Sequence, residues 1–198
     1  YESMSELVRN AMKQIEKAKN NDNGIIGVPS GFTALDRVTS GWQPSDLVII
    51  AARPAMGKTS YVLSLARNAA VEFKKSVAIF SLEMSSIQLV TRLISAEAEI
   101  SSEKLRSGNL RADEIQQIHS RINDLTNAKI YIDDTPGLSI FELRAKARRL
   151  KAKNGIDLII IDYLQLMSGG GEGKGNREQE ISMISRSLKS IAKELNVP

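Results

Sequence analysis

Lys58, Thr59, Glu83 and Asp162 are side chains of the types that can together bind and cleave a phosphoanhydride. Lys58 and Thr59 belong to Arg53-Pro54-Ala55-Met56-Gly57-Lys58-Thr59-Ser60, which follows the apolar run Leu47-Val48-Ile49-Ile50-Ala51. An apolar helical pattern begins at Tyr61. Strand, Gly-Lys-Thr turn and helix, in that order, make the phosphate-binding loop arrangement. Backbone N–H groups of such a turn and of the helix start converge on one spot and favour an anion there. Lys58 is placed to reach β- and γ-phosphates, and Thr59 offers its hydroxyl to Mg²⁺. Ala52 stands where the first glycine of the motif is expected, a position that requires a small residue more than it requires glycine.

A phosphate cradle alone does not hydrolyse a nucleotide. The reaction also needs a metal ion, an oriented water and positive charge at the γ-phosphate. Asp162 closes the apolar run Leu158-Ile159-Ile160-Ile161, and a carboxylate at the C-terminal end of such a strand can sit beside Thr59 and hold Mg²⁺. Glu83 lies just beyond another apolar run, Ser76 to Ser81. The C-terminal edge of an open α/β sheet is where ligands bind, and a carboxylate there can orient water or take its proton. Taken by itself, Glu83 reads equally well as surface charge ahead of a helix.

These groups must be held by a sheet and its helices. Runs at 47–51, 76–81, 129–132 and 158–162 read as strands, separated by helical patterns at about 58–73, 86–97, 111–125 and 139–154. Strands alternating with helices predict a parallel sheet covered on both faces. Ser85 with Gln88, and Ser139 with Glu142, have capping-box spacing, and Gly155 stops the last of these helices. That helix carries Arg144, Lys146, Arg148, Arg149, Lys151 and Lys153, whose role the sequence leaves open. His119, the only histidine, reads as a solvated surface residue, and Trp42, the only tryptophan, as an apolar anchor in the Gly- and Pro-punctuated stretch 24–46.

Two segments stand apart. Residues 3–19 form an amphipathic pattern, capped by Ser3 and Glu6, with Met4, Leu7, Val8, Ala11, Ile15 and Ala18 on one face. An Asn-rich turn at 20–24 follows, so 1–23 reads as a linker helix and hinge, packing either on its own domain or on a neighbouring subunit. Ser168 to Gly175 holds five glycines and reads on composition as a mobile loop, followed by a helix from Arg177 to Leu195.

Composition sets outer bounds. The 198 residues are 42% hydrophobic and 25% charged, enough for one sizeable α/β domain with an appendage. The absence of cysteine excludes disulfides and thiolate metal sites. No signal peptide pattern and no run of membrane-spanning length is visible, which gives a cytoplasmic expectation. Twenty-seven basic against 23 acidic residues hint only weakly at a polyanionic partner.

GFTALDRVTSGW, LVIIAARPAMGKTS, VAIFSLEMS and DLIIIDYLQLM, in that order, resemble the motifs of replicative DNA helicases of the DnaB family, over essentially all of residues 24–198. The resemblance implies a RecA-like P-loop NTPase fold whose C-terminal strands lie past Pro198, with residues 1–23 similar to the family's linker helix. It implies ATP and Mg²⁺, a homohexameric ring, 5′-to-3′ movement on single-stranded DNA and unwinding of duplex. It carries the phosphate and metal roles onto Lys58, Thr59 and Asp162, and the catalytic glutamate onto Glu83. The segment Gly169 to Glu180 matches a central-channel loop, which makes Arg177 and Glu178 expected DNA contacts, and Lys174, by its positive charge in the same segment, is a further expected contact. It further implies a helicase loader and a primase as partners, the latter through an N-terminal domain not among these residues. A RecA-like filament-forming ATPase, and a nucleotide-binding assembly module inactive as an isolated fragment, are the competing readings. ATP hydrolysis with and without single-stranded DNA separates them.

Overall fold

Three of the apolar runs pair into one parallel sheet. In the computed structural model, which describes residues 1–21, 24–169 and 176–198, these strands are β1 (Val77–Ser81), β2 (Ile130–Asp133) and β3 (Leu158–Asp162), in the spatial order β2-β1-β3. β1 is central and buried along its whole length. Its Val77 lies opposite Ile130 and Leu158, and its Ser81 opposite Asp162. An uninterrupted apolar strand is what a parallel sheet covered on both faces requires.

Side chains alternate between two cores. Val77 and Ile79 of β1 join Leu63 and Ala66 of α3 (Lys58–Arg67) and Leu89 and Leu93 of α4 (Ser86–Ala98) on one face. Ala78 and Phe80 join Leu143 and Ala147 of α8 (Ile140–Asn154) and Ile184 and Leu188 of α9 (Arg177–Leu195) on the other. The remaining helices are α1 (Met4–Lys19), α2 (Thr33–Thr39), α5 (Ser102–Ser107), α6 (Ala112–Arg121) and α7 (Asn123–Asn127).

Local chemistry sets the helix starts. Ser3 with Glu6, Ser85 with Gln88, and Ser139 with Glu142 all form reciprocal capping boxes, as their spacing predicts. Loss of one such cap costs about 1 kcal/mol. In the segment before the phosphate loop, the buried Asp36 of α2 accepts from Ser30 N–H at 2.9 Å and Ser30 Oγ at 2.6 Å. Phe32 stacks on Tyr61 of α3 with ring centroids 5.1 Å apart, which fixes this segment against the helix that starts at Lys58. Val28 and Trp42 bridge to each other, and a Cβ at Gly27 would lie 2.3 Å from the Trp42 carbonyl oxygen, so only glycine fits there. Trp42 packs on the first core, as an anchor should.

The structure departs from the sequence reading at four places. The run Leu47 to Ala51 is not a strand of the sheet. It has no ladder partner among the described residues, and Val48, Ile49 and Ile50 are 41%, 69% and 37% exposed. With β3 it borders a cavity of about 300 Å³, and along that edge of β3 Ile159 N–H donates instead to the Pro198 carbonyl at 3.0 Å. Second, α3 ends at Arg67 and continues as a π-helical turn, Asn68–Glu72. Third, the expected helix at 111–125 breaks at Ile122 into α6 and α7. Fourth, α5 is an additional helix that the sequence reading lacks. Ser101 caps its start, and Gly108, at φ +71°, ends it. His119 is exposed, as expected.

α1 buries none of its residues on the rest of the chain. Its stripe of Met4, Leu7, Val8, Met12 and Ile15 is open to solvent. Packing on its own domain, one of the two readings of that pattern, is not what the structure shows. The expected hinge falls partly on residues 22–23, which lie outside the described residues.

Candidate active site

α3 begins at the Gly-Lys-Thr turn because Gly57, at φ +86°, takes the left-handed conformation that reverses the chain into the helix. Ala55 also has a positive φ, of +62°. Gly57 offers no side-chain cap. The first-turn N–H groups of Lys58, Thr59 and Ser60 have no intrahelical acceptor, as at any α-helix start. They therefore point outward as donors, with the positive end of the helix dipole behind them.

β3 brings Asp162 to this turn. Asp162 is 5% exposed, and its Oδ2 accepts a hydrogen bond from Thr59 Oγ1 at 2.8 Å. A buried carboxylate normally demands a charged or hydrogen-bonding partner. Here, among the described residues, the partner of the side chain is the Thr59 hydroxyl, and no cation pairs with it. Lys58 Nζ lies 4.3 Å from the centroid of the Tyr163 ring, one residue beyond Asp162. Hydroxyl, carboxylate and ammonium thus converge from the start of α3 and the end of β3.

Glu83 lies two residues beyond β1. Because β1 and β3 are parallel with Ser81 opposite Asp162, Glu83 and Asp162 occupy the same edge of the sheet, and Leu82 N–H donates to the Asp162 carbonyl at 2.8 Å. Glu83 is exposed and, among the described residues, makes no ion pair or hydrogen bond through its side chain. Its turn is held from both sides. Ser81 Oγ donates to the Met84 carbonyl at 2.7 Å, and Asp134, just past β2, accepts from Ser86 N–H at 2.7 Å. That backbone hydrogen bond from Ser86, with one from its side chain, holds the Asp134 carboxyl below its ordinary value. Sequence reasoning missed both Tyr163 and Asp134. Their contacts join segments far apart in the chain, which no local spacing reveals.

The residues fit a nucleotide with Mg²⁺. Magnesium is commonly held by one or two protein oxygens plus phosphate oxygens and water, so Thr59 and Asp162 suffice on the protein's side. Among the described residues there is no group of three or more His, Cys, Asp or Glu side chains able to hold a metal by themselves.

The expected DNA contacts divide. Lys174 lies outside the described residues. Arg177, at the first turn of α9, donates from its guanidinium to the carbonyls of Gln165 and Met167 and pairs with Glu180. Glu180 Oε1 in turn accepts from Gly169 N–H at 2.9 Å. Arg177 therefore ties the stretch that follows Asp162 to α9. Glu178 is exposed beside it. Three of the six basic residues of α8 pair with acids within the fold. Arg144 and Arg148 pair with Glu194 of α9, and Lys146 Nζ lies 2.6 Å from Asp133 Oδ2 at the end of β2.

Comparison with known proteins bears on the family and the fold. A family model described as DnaB-like helicase C terminal domain matches residues 27–198. The chain is 48% identical over 198 residues to the replicative DNA helicase DnaC of Bacillus subtilis, covering 100% of this chain and 44% of that protein. It is also 48% identical over 198 residues to the replicative DNA helicase DnaB of Geobacillus stearothermophilus, with the same two coverages. The chain thus spans less than half the length of these relatives. Among solved structures, one described as an ATPase domain superimposes with a TM-score of 0.91 at 36% identity, over 100% of this chain and 69% of that one. A DnaB-like replicative helicase studied with its primase interactions gives a TM-score of 0.85 at 36% identity, over 100% of this chain and 47% of that one. The fold is accordingly α/β and RecA-like, with a parallel sheet covered by helices.

Proposed function

The chain belongs to the DnaB-like helicase C-terminal domain family, and we propose that it is the ATP-hydrolysing motor of a replicative DNA helicase. The observation that carries this reading is the 2.8 Å contact of Thr59 with the buried Asp162, with Lys58 alongside and Glu83 at the same sheet edge.

The division of labour follows from each side chain's chemistry. Lys58 and the N–H groups that start α3 hold polyphosphate. Thr59 and Asp162 would hold Mg²⁺, which would supply charge neutralisation at the phosphates. Glu83, carboxylate-bearing and without a side-chain partner among the described residues, orients the attacking water and accepts its proton. The backbone N–H groups at the Gly-Lys-Thr turn are donors fixed by the start of α3, the kind of electrostatic preorganisation that phosphoryl transfer depends on.

In this reading the motor works as a homohexameric ring in the cytoplasm. α1 docks its open stripe on a neighbouring subunit, and the segment from Gly169 to Glu180 lines the channel. Movement runs 5′ to 3′ along single-stranded DNA and unwinds the duplex. Lys174, Arg177 and Glu178 are the expected strand contacts, and a loader and a primase are expected partners of the whole protein. Among the described residues, no helix is long and apolar enough to cross a membrane.

The test is ATP hydrolysis by the assembled protein with and without single-stranded DNA. Turnover that requires Mg²⁺ and rises on adding DNA is expected. A DNA-binding ring without nucleotide turnover in either condition would overturn the motor reading.

A further inference from the structure

The ammonium of Lys58 faces an aromatic ring. Among the described residues it has no carboxylate within ion-pairing reach and no hydrogen-bond acceptor, and its contact is the face of Tyr163 at 4.3 Å from the ring centroid. The Tyr163 hydroxyl likewise has no hydrogen-bond partner among the described residues, so the ring, not the hydroxyl, is the part engaged. The ring is held by the strand end that carries Asp162. Tyr163 follows it directly in extended conformation, and the Tyr163 carbonyl accepts from Leu166 N–H at 3.1 Å in the turn Leu164–Leu166.

We propose that Tyr163 is a positioning residue whose ring face holds the Lys58 ammonium in place for the polyphosphate of a nucleoside triphosphate. A π face attracts the cation without contributing an acceptor atom, so the lysine's three donors stay available. A carboxylate in the same place would occupy one or two of those donors and compete with phosphate. A lysine with no partner would sample many rotamers and lose them on binding, and ordering it beforehand removes that entropic cost. One strand end therefore serves two partners on α3, with Asp162 holding Thr59 and Tyr163 holding Lys58. The proposal rests on the nucleotide reading of this site and adds to it a determinant of affinity outside the phosphate loop.

Equilibrium binding of ATP with Mg²⁺ to the full chain tests it, using wild type, Tyr163→Phe, Tyr163→Leu, Lys58→Met and the Tyr163→Leu/Lys58→Met pair. Tyr163→Leu is expected to weaken binding about 5-fold, within the range of a cation–π contact, while Tyr163→Phe keeps most of the affinity. In the Lys58→Met background the Leu substitution is expected to add nothing. Equal losses in Phe and Leu, or a full Leu effect without Lys58, would overturn the proposal by making Tyr163 a packing residue. As a second readout, the Lys58 ε-methylene protons should show an upfield ring-current shift by NMR in wild type and in Tyr163→Phe, lost in Tyr163→Leu. Absence of that shift in wild type would overturn the contact itself. If wild type and Lys58→Met bind ATP equally, the nucleotide-site reading fails first and takes the proposal with it.

Discussion

Thr59 Oγ1 donates to Asp162 Oδ2 at 2.8 Å, joining residues 103 positions apart. The hydroxyl stands at the first turn of α3 and the carboxylate at the last position of β3, so the bond fixes the phosphate loop to the sheet. A pairing of this kind has a plain chemical use, since both oxygens are hard ligands of the sort that Mg²⁺ prefers.

Asp162→Asn is expected to keep the hydrogen bond from Thr59, through the amide oxygen, while losing the charge that attracts a divalent cation. ATP affinity should then fall by about tenfold in Mg²⁺ and change little in EDTA, a difference readable by titration calorimetry. Equal losses in both conditions would show that Asp162 acts on the fold and not on the metal.

Glutamate at both Leu7 and Ile15 is expected to dissociate rings while leaving the unfolding midpoint of the monomer unchanged. Both residues are exposed on a helix that buries nothing on its own chain. Native mass measurement with Mg²⁺ and nucleotide, beside a thermal melt, checks this. A drop in the monomer's midpoint of about 4 °C or more would place α1 in its own domain's core.

Arg177→Ala is expected to weaken binding of assembled rings to single strands of any sequence and to reduce the salt slope by about one. The same guanidinium bonds the Gln165 and Met167 carbonyls, so strand binding must share or release that contact. Fluorescence anisotropy at two salt concentrations measures the slope. An unchanged slope would leave Arg177 as a tie between α9 and the residues after β3, with no part in DNA contact.

Acid stability should depend on Lys146. Burial raises the Asp133 carboxyl, but hydrogen bonds from Lys146 and Thr135 outweigh it and hold the group below its ordinary value of 3.8. A carboxyl depressed in the folded state stabilises above its unfolded value and loses that contribution as pH falls through the folded one. Lys146→Met removes the main opposing partner, so the acid-unfolding midpoint should move to higher pH, with about 1 kcal/mol or less lost at neutral pH. Circular dichroism between about pH 2 and 6 reads the shift, and an unchanged midpoint would mean that Thr135 alone suffices.

Much of the scaffold is legible in the sequence because its signals are local. Ser85 with Gln88 and Ser139 with Glu142 mark helix starts by spacing alone, and Gly155 marks an end. The runs that form β1, β2 and β3 are apolar and short, as buried parallel strands are. The run Leu47 to Ala51 has the same appearance, but apolarity foretells burial without naming a partner, and the sheet here does not pair with it. The short α5 carries its own local signals, with Ser101 as its cap and Gly108 beyond its end, but too few apolar positions to show a period.

The site is legible by residue type and not by contact. Gly57, Lys58 and Thr59 form a contiguous motif, and Asp162 ends an apolar strand, so both can be found in the sequence. That Tyr163 faces Lys58, that Asp134 pins the turn after Glu83, and that Arg177 bonds the carbonyls behind Asp162 depend on tertiary placement. Spacing in the chain carries no trace of them.

In the proposed mechanism Glu83 is the residue on which hydrolysis turns, because it alone is asked to act only in the transition state. The most direct measurement compares wild type and Glu83→Gln in the assembled protein, by equilibrium ATP binding and by single-turnover hydrolysis, with Lys58→Ala as the binding-deficient control. Glu83→Gln should bind ATP with Mg²⁺ as wild type does and hydrolyse it about 100-fold or more slowly, while Lys58→Ala should bind weakly and show no turnover. Near-wild-type hydrolysis in Glu83→Gln would contradict this mechanism, and would place the water-orienting group elsewhere.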